Sequence, residues 1–446
     1  MRKGKLQPKT KRLPLCIGIT LAALLAVAGG LWFWWNPHRG ATAWQDMKPS
    51  AALDQALTQQ QAQEDLAFLV ERVRAHHVSA EKGLPAAVEA QYHAELEGLN
   101  DAPTVLDVWR AGSRILKPLG DGHSGLNYMG GGDATRVEQA FVMTEGGLLA
   151  SGGQHNGKPV AVLAGVPVDD LYERFLSQYS YENLFRAYYA FPNYVRTPQG
   201  LRWLGAEPGD ALQVSWRTLI PESAELPFAP AASQNTEQQP FVRYNIDEEH
   251  GLGVLTLDAC DNNDVYRETL KNFFTDVIKA GLDAIALDLR GNGGGNSTVI
   301  REFLRYLNAR SYVDYGAAVR MGPLVLRFEP QQVANKPAEG LVFDGDVYVL
   351  TGGRTFSSAT QFAVVLRDNG LCRVIGQAPG NSPSMYGDTL HYQLPHSALA
   401  LTVTYKQFTR PDAARTAEDA LQPDIPTAVT ADGDGVMEAL YREVQK

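Results

Sequence analysis

From about residue 241 the chain alternates short, wholly apolar runs with longer amphipathic ones. The run Ala284-Ile285-Ala286-Leu287, which enters Asp288-Leu289-Arg290-Gly291-Asn292-Gly293-Gly294-Gly295, shows none of the in–out alternation of a half-solvated strand. A strand of that kind is buried on both faces, and the sheet that contains it must be covered by helices on each side. The pattern predicts strands over 252–257, 284–289, 347–351 and from 373 onward, and helices over 265–280, 297–307 and 357–367. Residues 241–446 therefore read as an α/β core with a largely parallel sheet.

At 446 residues the chain exceeds one ordinary domain, since roughly 150 residues per domain is the usual scale. Residues 36–60 are rich in Pro, Ala and Gln and read as a linker. Residues 61–128 carry a helical period. Leu66, Leu69, Val70 and Val73 form one apolar face, and Val105, Val108, Trp109, Ile115 and Leu116 form another. The loop Gly120-Asp121-Gly122-His123-Ser124-Gly125 closes this helical region. Residues 129–240 break into short apolar runs separated by glycines, which predicts a mainly β middle region with one helical stretch near 169–178.

The amino terminus fixes the expected compartment. Arg2, Lys3, Lys5, Lys9, Lys11 and Arg12 make residues 1–14 a basic tail, and residues 15–35 then contain no charged side chain. Twenty-one helical residues at about 1.5 Å each span a bilayer core of about 30 Å. Trp32, Trp34 and Trp35 stand where an interfacial aromatic belt would lie. The basic flank orients the segment with its start in the cytoplasm. The expectation is a single-pass anchor in the inner membrane with everything after Trp35 periplasmic. Ala26-Val27-Ala28 resembles a cleavage site, so a removable signal peptide stays open; Cys16 lies at the wrong end of the run for a lipoprotein site.

Residues 1–40 carry seven Lys/Arg and no acid, which leaves 33 Lys/Arg against 50 Asp/Glu in the rest of the chain. So acidic a body repels a phosphate backbone, and a nucleic-acid partner is excluded. Of three cysteines, Cys16 falls in the apolar run, and Cys260 and Cys372 are left as the two that could pair in an oxidising compartment. The nine histidines show no metal-ligand spacing, and neither a metal nor a cofactor is expected.

Three motifs could carry chemistry. The Asp288–Gly295 run places successive glycines after a buried strand, where backbone N–H groups can approach a ligand; no Lys follows as a nucleotide loop would require. It suits an oxyanion hole, or it is only a tight strand-to-helix turn. Thr351-Gly352-Gly353-Arg354-Thr355-Phe356-Ser357-Ser358-Ala359-Thr360 links a strand to a helix. Ser357 there is either a nucleophile at a positive helix end or an ordinary N-cap. His123, in a glycine-bordered loop, is a candidate general base or a plain hydrogen-bonded histidine. Nucleophile, base and N–H donors are together the parts that acyl transfer needs, and they need not be close in sequence.

At these residues the chain resembles the tail-specific, or C-terminal-processing, serine peptidases, especially the branch related to the tricorn protease core. The resemblance runs from about Glu64 to Asp424 and is most specific at Asp288–Gly295 and Thr355-Phe356-Ser357-Ser358-Ala359. It implies a crotonase-like catalytic core and a peptide or protein substrate. Matched position by position, it makes Ser357 the nucleophile and His123 the general base. Gly293, Gly294 and Ser358 would supply the oxyanion hole. The tail-specific branch uses a lysine base, but the loop Gly376-Gln377-Ala378-Pro379-Gly380-Asn381-Ser382-Pro383-Ser384 has no Lys, and Lys406 reads as part of a strand. The acid that orients the histidine would be Glu418, with Asp419 as the other choice, and Asp368 reads as structural. The expected activity is membrane-anchored, extracytoplasmic peptide-bond hydrolysis through an acyl-enzyme. A non-catalytic peptide- or ligand-binding protein and an esterase are the alternatives.

Overall fold

A computed structural model describes residue 30 and residues 35–130, 135–230 and 239–446. The uncharged run 15–35 lies outside the described residues except for Gly30 and Trp35. Among the described residues, no helix is long and apolar enough to cross a membrane.

The centre of the carboxyl-terminal part is a six-stranded sheet. Its order is Ile425–Pro426, Arg373–Gly376, Asp346–Thr351, Ala284–Asp288, Leu252–Leu257 and Val242–Asp247. Every neighbouring pair is parallel except the last, where Val242–Asp247 runs antiparallel to Leu252–Leu257. All five residues of Ala284–Asp288 are buried, as its uninterrupted apolar sequence requires. Because side chains alternate along a strand, Ile285 and Leu287 enter one apolar layer with Phe273, Phe303 and Phe362 from the covering helices. Ala284 and Ala286 enter the opposite layer, closed by Val436, Ala439 and Leu440 of the terminal helix Val436–Val444.

The helices between these strands start and stop where their ends are chemically satisfied. Asn263 accepts a hydrogen bond from the Tyr266 N–H to begin Asp264–Ala280, and Gly281, at φ 65°, ends it. The predicted helices over 297–307 and 357–367 are observed as Thr298–Leu304 and Ser358–Asp368.

A second, five-stranded sheet positions the upstream loop against this core. Ala400–Thr409 pairs with Met385–Gln393 on one edge and with Gly125–Asn127 and Gly316–Met321 on the other. Lys406 lies within that strand and pairs with Asp388. The helices Gln59–His76 and Val105–Leu116 each begin with a capping box, at Thr58/Gln61 and Thr104/Asp107. Their apolar faces share one core with Leu390, Leu401 and Val403. The loop after Leu119 is thereby fastened beside the sheet.

The middle of the chain departs from the expected mainly β character. A five-stranded sheet is present, built from Thr135–Val137, Glu222–Pro230, Ala211–Trp216, Val160–Leu163 and Val166–Pro167. Three helices, Val168–Gln178, Leu184–Tyr194 and Pro198–Trp203, stand within it and make the region mixed. Val168–Gln178 is the helical stretch expected near 169–178; the other two carry a helical period that the aromatic-rich sequence obscured, with Ala187, Ala190 and Phe191, and Leu201, all fully or nearly fully buried.

Candidate active site

Ser357 sits at the sharp turn between the strand Asp346–Thr351 and the helix Ser358–Asp368. Its backbone is at φ 55°, ψ −128°, a region that a non-glycine residue occupies only under constraint. The constraint comes from both sides. The Phe356 N–H donates to the Asn292 carbonyl at 3.1 Å. The Ser357 N–H donates to Asn381 Oδ1 at 2.5 Å, and Asn381 is fully buried. Ser357 occupies the N-cap position, yet its side chain makes no capping hydrogen bond. The hydroxyl is therefore not spent on the helix end, in contrast to an ordinary N-cap serine.

The glycine run lies directly against this turn. A Cβ on Gly294 would fall 2.6 Å from Ser357 Cβ and 2.8 Å from the Phe356 carbonyl oxygen, so only glycine permits the approach. Asn292 holds the run by donating from Nδ2 to the Leu257 carbonyl at 2.9 Å. Its Oδ1 accepts from the Gly294 N–H at 2.8 Å. That bond removes Gly294 from the expected oxyanion hole, because its N–H is already committed. The Gly293 N–H and the Ser358 N–H, the latter in the first turn of the helix, have no such commitment. Ser358 uses its hydroxyl to donate to the Gly295 carbonyl at 2.7 Å, which ties helix to loop.

His123 lies in the loop that leads into Gly125–Asn127, an edge partner of Ala400–Thr409 in the second sheet. Its ring lies 4.4 Å from the ring of Phe356, the residue before Ser357 in sequence, and its backbone N–H donates to Asp121 Oδ1 at 2.8 Å. Neither ring nitrogen has a hydrogen-bond partner, so His123 and the Ser357 hydroxyl are not hydrogen-bonded to each other in this structure. Burial pushes the imidazolium down to about 4 against the pull of Asp121; Arg186 adds to the push and Asp388 opposes it. The ring is neutral at physiological pH, the form in which a general base must start.

Two carboxylates flank it. Asp121 is fully buried and accepts from the Ser124 hydroxyl at 2.5 Å and the Thr404 hydroxyl at 2.7 Å. Burial alone would raise its carboxyl, but His77, 3.4 Å away, together with His123 and Ser124 holds it at about 2. Glu182 accepts at one oxygen from Asn381 Nδ2 and the Ser382 N–H, both at 2.9 Å, and at the other from the Tyr386 N–H at 3.3 Å. Burial and then the charge of Asp121 push Glu182 up to about 8, against those three donors. Ligand atoms of Asp121, His123 and Glu182 lie within 4.8 Å of one another, close enough in kind and spacing for a cation. The carboxylate oxygens, however, are already engaged by the donors just named.

The acid expected from the resemblance is elsewhere. Glu418 accepts from Arg410 at 2.8 Å, and Arg410, fully buried, also binds Asp368 at 2.6 and 2.9 Å. Glu418 neutralises part of a buried guanidinium and is not among the groups acting on His123. Asp419 is exposed and meets the neighbouring loop only through its carbonyl oxygen, which accepts from the Ser382 hydroxyl at 2.6 Å. The structural role read for Asp368 agrees with its bond to Arg410. Asp121 was legible two residues before His123. Glu182 had no local signal, since what distinguishes it is the company of residues 199 to 204 positions away. Cys260 and Cys372 are both free thiols rather than a pair, and burial raises each.

Two cavities open beside these groups. One, of about 200 Å³, is lined by Ser357, Ser358 and Gly295 on the core side and by Tyr386, Asp388 and Phe408 across from them. The other, of about 330 Å³, begins at His123 and runs between the helices Val105–Leu116 and Leu184–Tyr194.

Residues 251–427 match the model of peptidase family S41. A comparison with curated protein sequences gives no match. Among solved structures, mature CPAF superposes with a TM-score of 0.63 at 13% identity, over 87% of this chain and 96% of that one. The photosystem II D1 C-terminal processing protease gives 0.48 at 14% identity, over 86% and 97%. The tricorn protease gives 0.41 at 12% identity, over 86% of this chain and 37% of that one. The matched segment holds the Asp288–Gly295 run, Ser357 and Ser358, and the chain carries a mixed α/β serine-type peptidase domain.

Proposed function

We propose that the chain hydrolyses peptide bonds through an acyl-enzyme formed on Ser357, with His123 as general base and acid, on a core of the crotonase-like kind. The observation that carries this reading is the Ser357 turn: a constrained backbone, a hydroxyl free of capping, and a helix amino terminus beneath it. His123 takes the Ser357 proton as Oγ bonds to the substrate carbonyl carbon, and the oxygen of that carbonyl becomes an oxyanion. The Gly293 and Ser358 N–H groups face the growing charge, and the helix end adds to their effect. His123 then delivers the proton to the leaving amine as the C–N bond breaks. Water reverses the first half to release the acid product. Ionised Asp121, 3.9 Å from His123 Nδ1, stabilises the imidazolium while it exists. A preorganised oxyanion donor is worth about 10²–10³ in turnover.

The location is part of the proposal. The basic residues up to Arg12 and the uncharged run 15–35 support a single-pass anchor with the peptidase part outside the cytoplasm.

The test is fluorophosphonate treatment of the full chain in detergent, with the modified residue mapped by mass spectrometry. The expected adduct is on Ser357, absent in Ser357→Ala and much slower in His123→Ala. A folded protein that forms no adduct, or forms it at the same rate without His123, refutes the mechanism.

A further inference from the structure

The cavity of about 330 Å³ that starts at His123 has an unusual inventory of walls. Arg186, Trp203 and His123 line it, and Arg186 Nε, Trp203 Nε1 and both ring nitrogens of His123 are buried with no hydrogen-bond partner. Trp203 is only 2% exposed, so water in the bulk does not serve its N–H. No Asp or Glu is among the residues that line the cavity. Arg186 makes no ion pair among the described residues; its guanidinium lies 4.2 Å over the Phe356 ring and 5.7 Å from the centre of the Tyr189 ring. Buried donors are nearly always paired in folded proteins, and several left unpaired around one space mark a place for an acceptor.

The position of Arg186 is fixed relative to the nucleophile. It stands in the first turn of Leu184–Tyr194, whose N-cap Asn183 donates from Nδ2 to the Pro379 carbonyl at 3.0 Å. The loop that starts there also supplies Asn381, the acceptor for the Ser357 N–H. A group bound at Arg186 is therefore held in register with the reacting bond.

Chemistry decides which part of a substrate this cavity receives. His123 must return its proton to the leaving amine, so it stands on the leaving-group side of the scissile bond. Ser357, Ser358 and Gly295 line the other cavity.

We infer that the His123–Arg186–Trp203 cavity is a subsite for a carboxylate on the leaving-group side of the substrate, bound by the Arg186 guanidinium and the Trp203 indole N–H. A carboxylate is the anion that peptides carry, and its lone pairs can take both donors at once. It comes either from an acidic side chain or from the free carboxyl terminus of the leaving peptide. This inference rests on the peptidase reading for its meaning, but binding can be measured without turnover.

The experiment uses the full-length Ser357→Ala protein in detergent and titration calorimetry with three probes: N-acetylglutamine amide, N-acetylglutamate amide and N-acetylglutamine. The first is neutral, the second carries a side-chain carboxylate, and the third carries a terminal one. At least one anionic probe is expected to bind about 10-fold or more tightly than the neutral probe, as a charge-assisted bond allows. Adding Arg186→Met, which keeps the stem over Phe356, is expected to abolish that preference, and Arg186→Lys to restore part of it. Trp203→Phe keeps an aromatic ring, removes the N–H and is expected to weaken the anionic probe several-fold, which covers the case in which Arg186→Met does not fold. Which anionic probe wins identifies the source of the carboxylate. Equal binding of all three probes, or a preference that survives in folded Arg186→Met, overturns the inference. Wild-type cleavage of a mixed peptide set separates the two readings. A preference in binding with no cleavage sinks the peptidase and keeps the subsite; cleavage with no anionic preference does the reverse.

Discussion

The conformation of Ser357 is maintained by a side chain 24 residues away, and removing that side chain is the most informative single perturbation. At φ 55°, ψ −128° the serine backbone stores about 1–3 kcal/mol of strain. Buried Asn381 opposes relaxation by accepting the Ser357 N–H at 2.5 Å, and its own Nδ2 is held by Glu182 at 2.9 Å. Asn381→Ala leaves a buried N–H without an acceptor, a loss of about 1–3 kcal/mol. The relaxed backbone can turn that N–H elsewhere, so the loss falls mainly on the competent conformer. Taking about 2 kcal/mol in favour of the relaxed form, the competent fraction drops to about one in 30, since about 1.4 kcal/mol is tenfold. The rate of fluorophosphonate labelling at Ser357 is expected to fall by about 30-fold at a reagent concentration below saturation. Urea unfolding, followed in parallel, is expected to show a protein that is destabilised by about 1–3 kcal/mol but still folded. Asn381→Asp retains the acceptor, and labelling should return to within about fivefold of wild type. A folded Asn381→Ala protein labelled at the wild-type rate would show that the turn holds itself, and the reasoning would be wrong.

Other outcomes follow from the same site. Gly294→Ala places a Cβ 2.6 Å from Ser357 Cβ at a backbone φ of +103°, and labelling should fall by about 10²-fold or more with much less change in the folded fraction. The acid limb of the labelling rate should lie near pH 4 rather than 6.5, because burial favours the neutral imidazole. Since His123 binds its proton less readily folded than unfolded, stability should decline as pH falls from about 6.5 to about 4. Glu182 has the opposite sign: its carboxyl is raised from 4.5 to about 8, so its contribution is complete below about pH 4.5 and lost as pH rises to about 8. Chemical denaturation across pH 5–9 should show that decline in wild type and a flatter profile in Glu182→Gln. Glu418→Gln should leave Ser357 labelling unchanged, while Asp368→Asn, which strips the fully buried Arg410 of its buried partner, should cost about 3–5 kcal/mol of stability. Slow labelling in a stable Glu418→Gln protein would return that residue to the catalytic machinery.

The sequence was informative wherever function is written in backbone chemistry. An unbroken apolar strand demands two covering layers, and Ala284–Asp288 is buried at every position. Three glycines after such a strand demand a close approach, and Gly294 lies against Ser357 as closely as a missing Cβ permits. His123 stood out because the glycines around it mark a loop, and Asp121 was visible in the same loop. The resemblance added roles for these residues, and it failed where it relied on spacing alone. Glu418 precedes Pro423 and Asp424 suggestively, but a charged residue joins the strongest partner within reach, and that partner is Arg410.

What sequence did not disclose is the helix Leu184–Tyr194 and the turn before it. Nothing in Tyr181-Glu182-Asn183-Leu184-Phe185-Arg186 marks a site, because each property that matters there is conferred by distant neighbours. Glu182 is special through the loop 381–386 that donates to it and the charge of Asp121 behind it. Arg186 is special through the Phe356 ring beneath it and through the absence of any carboxylate among the described residues that line its cavity. Residue type states what a side chain can do, and packing states what it is left to do. The same helix closes on the loop that holds Asn381 through Asn183 and Pro379, and an aromatic-rich stretch of the middle region thereby becomes one wall of the candidate site. A change at Asn183 should therefore register at Ser357, 174 positions away in sequence. Asn183→Ala removes the helix cap together with the bond to Pro379, a combined loss of about 1–3 kcal/mol concentrated where Arg186 and Asn381 are set.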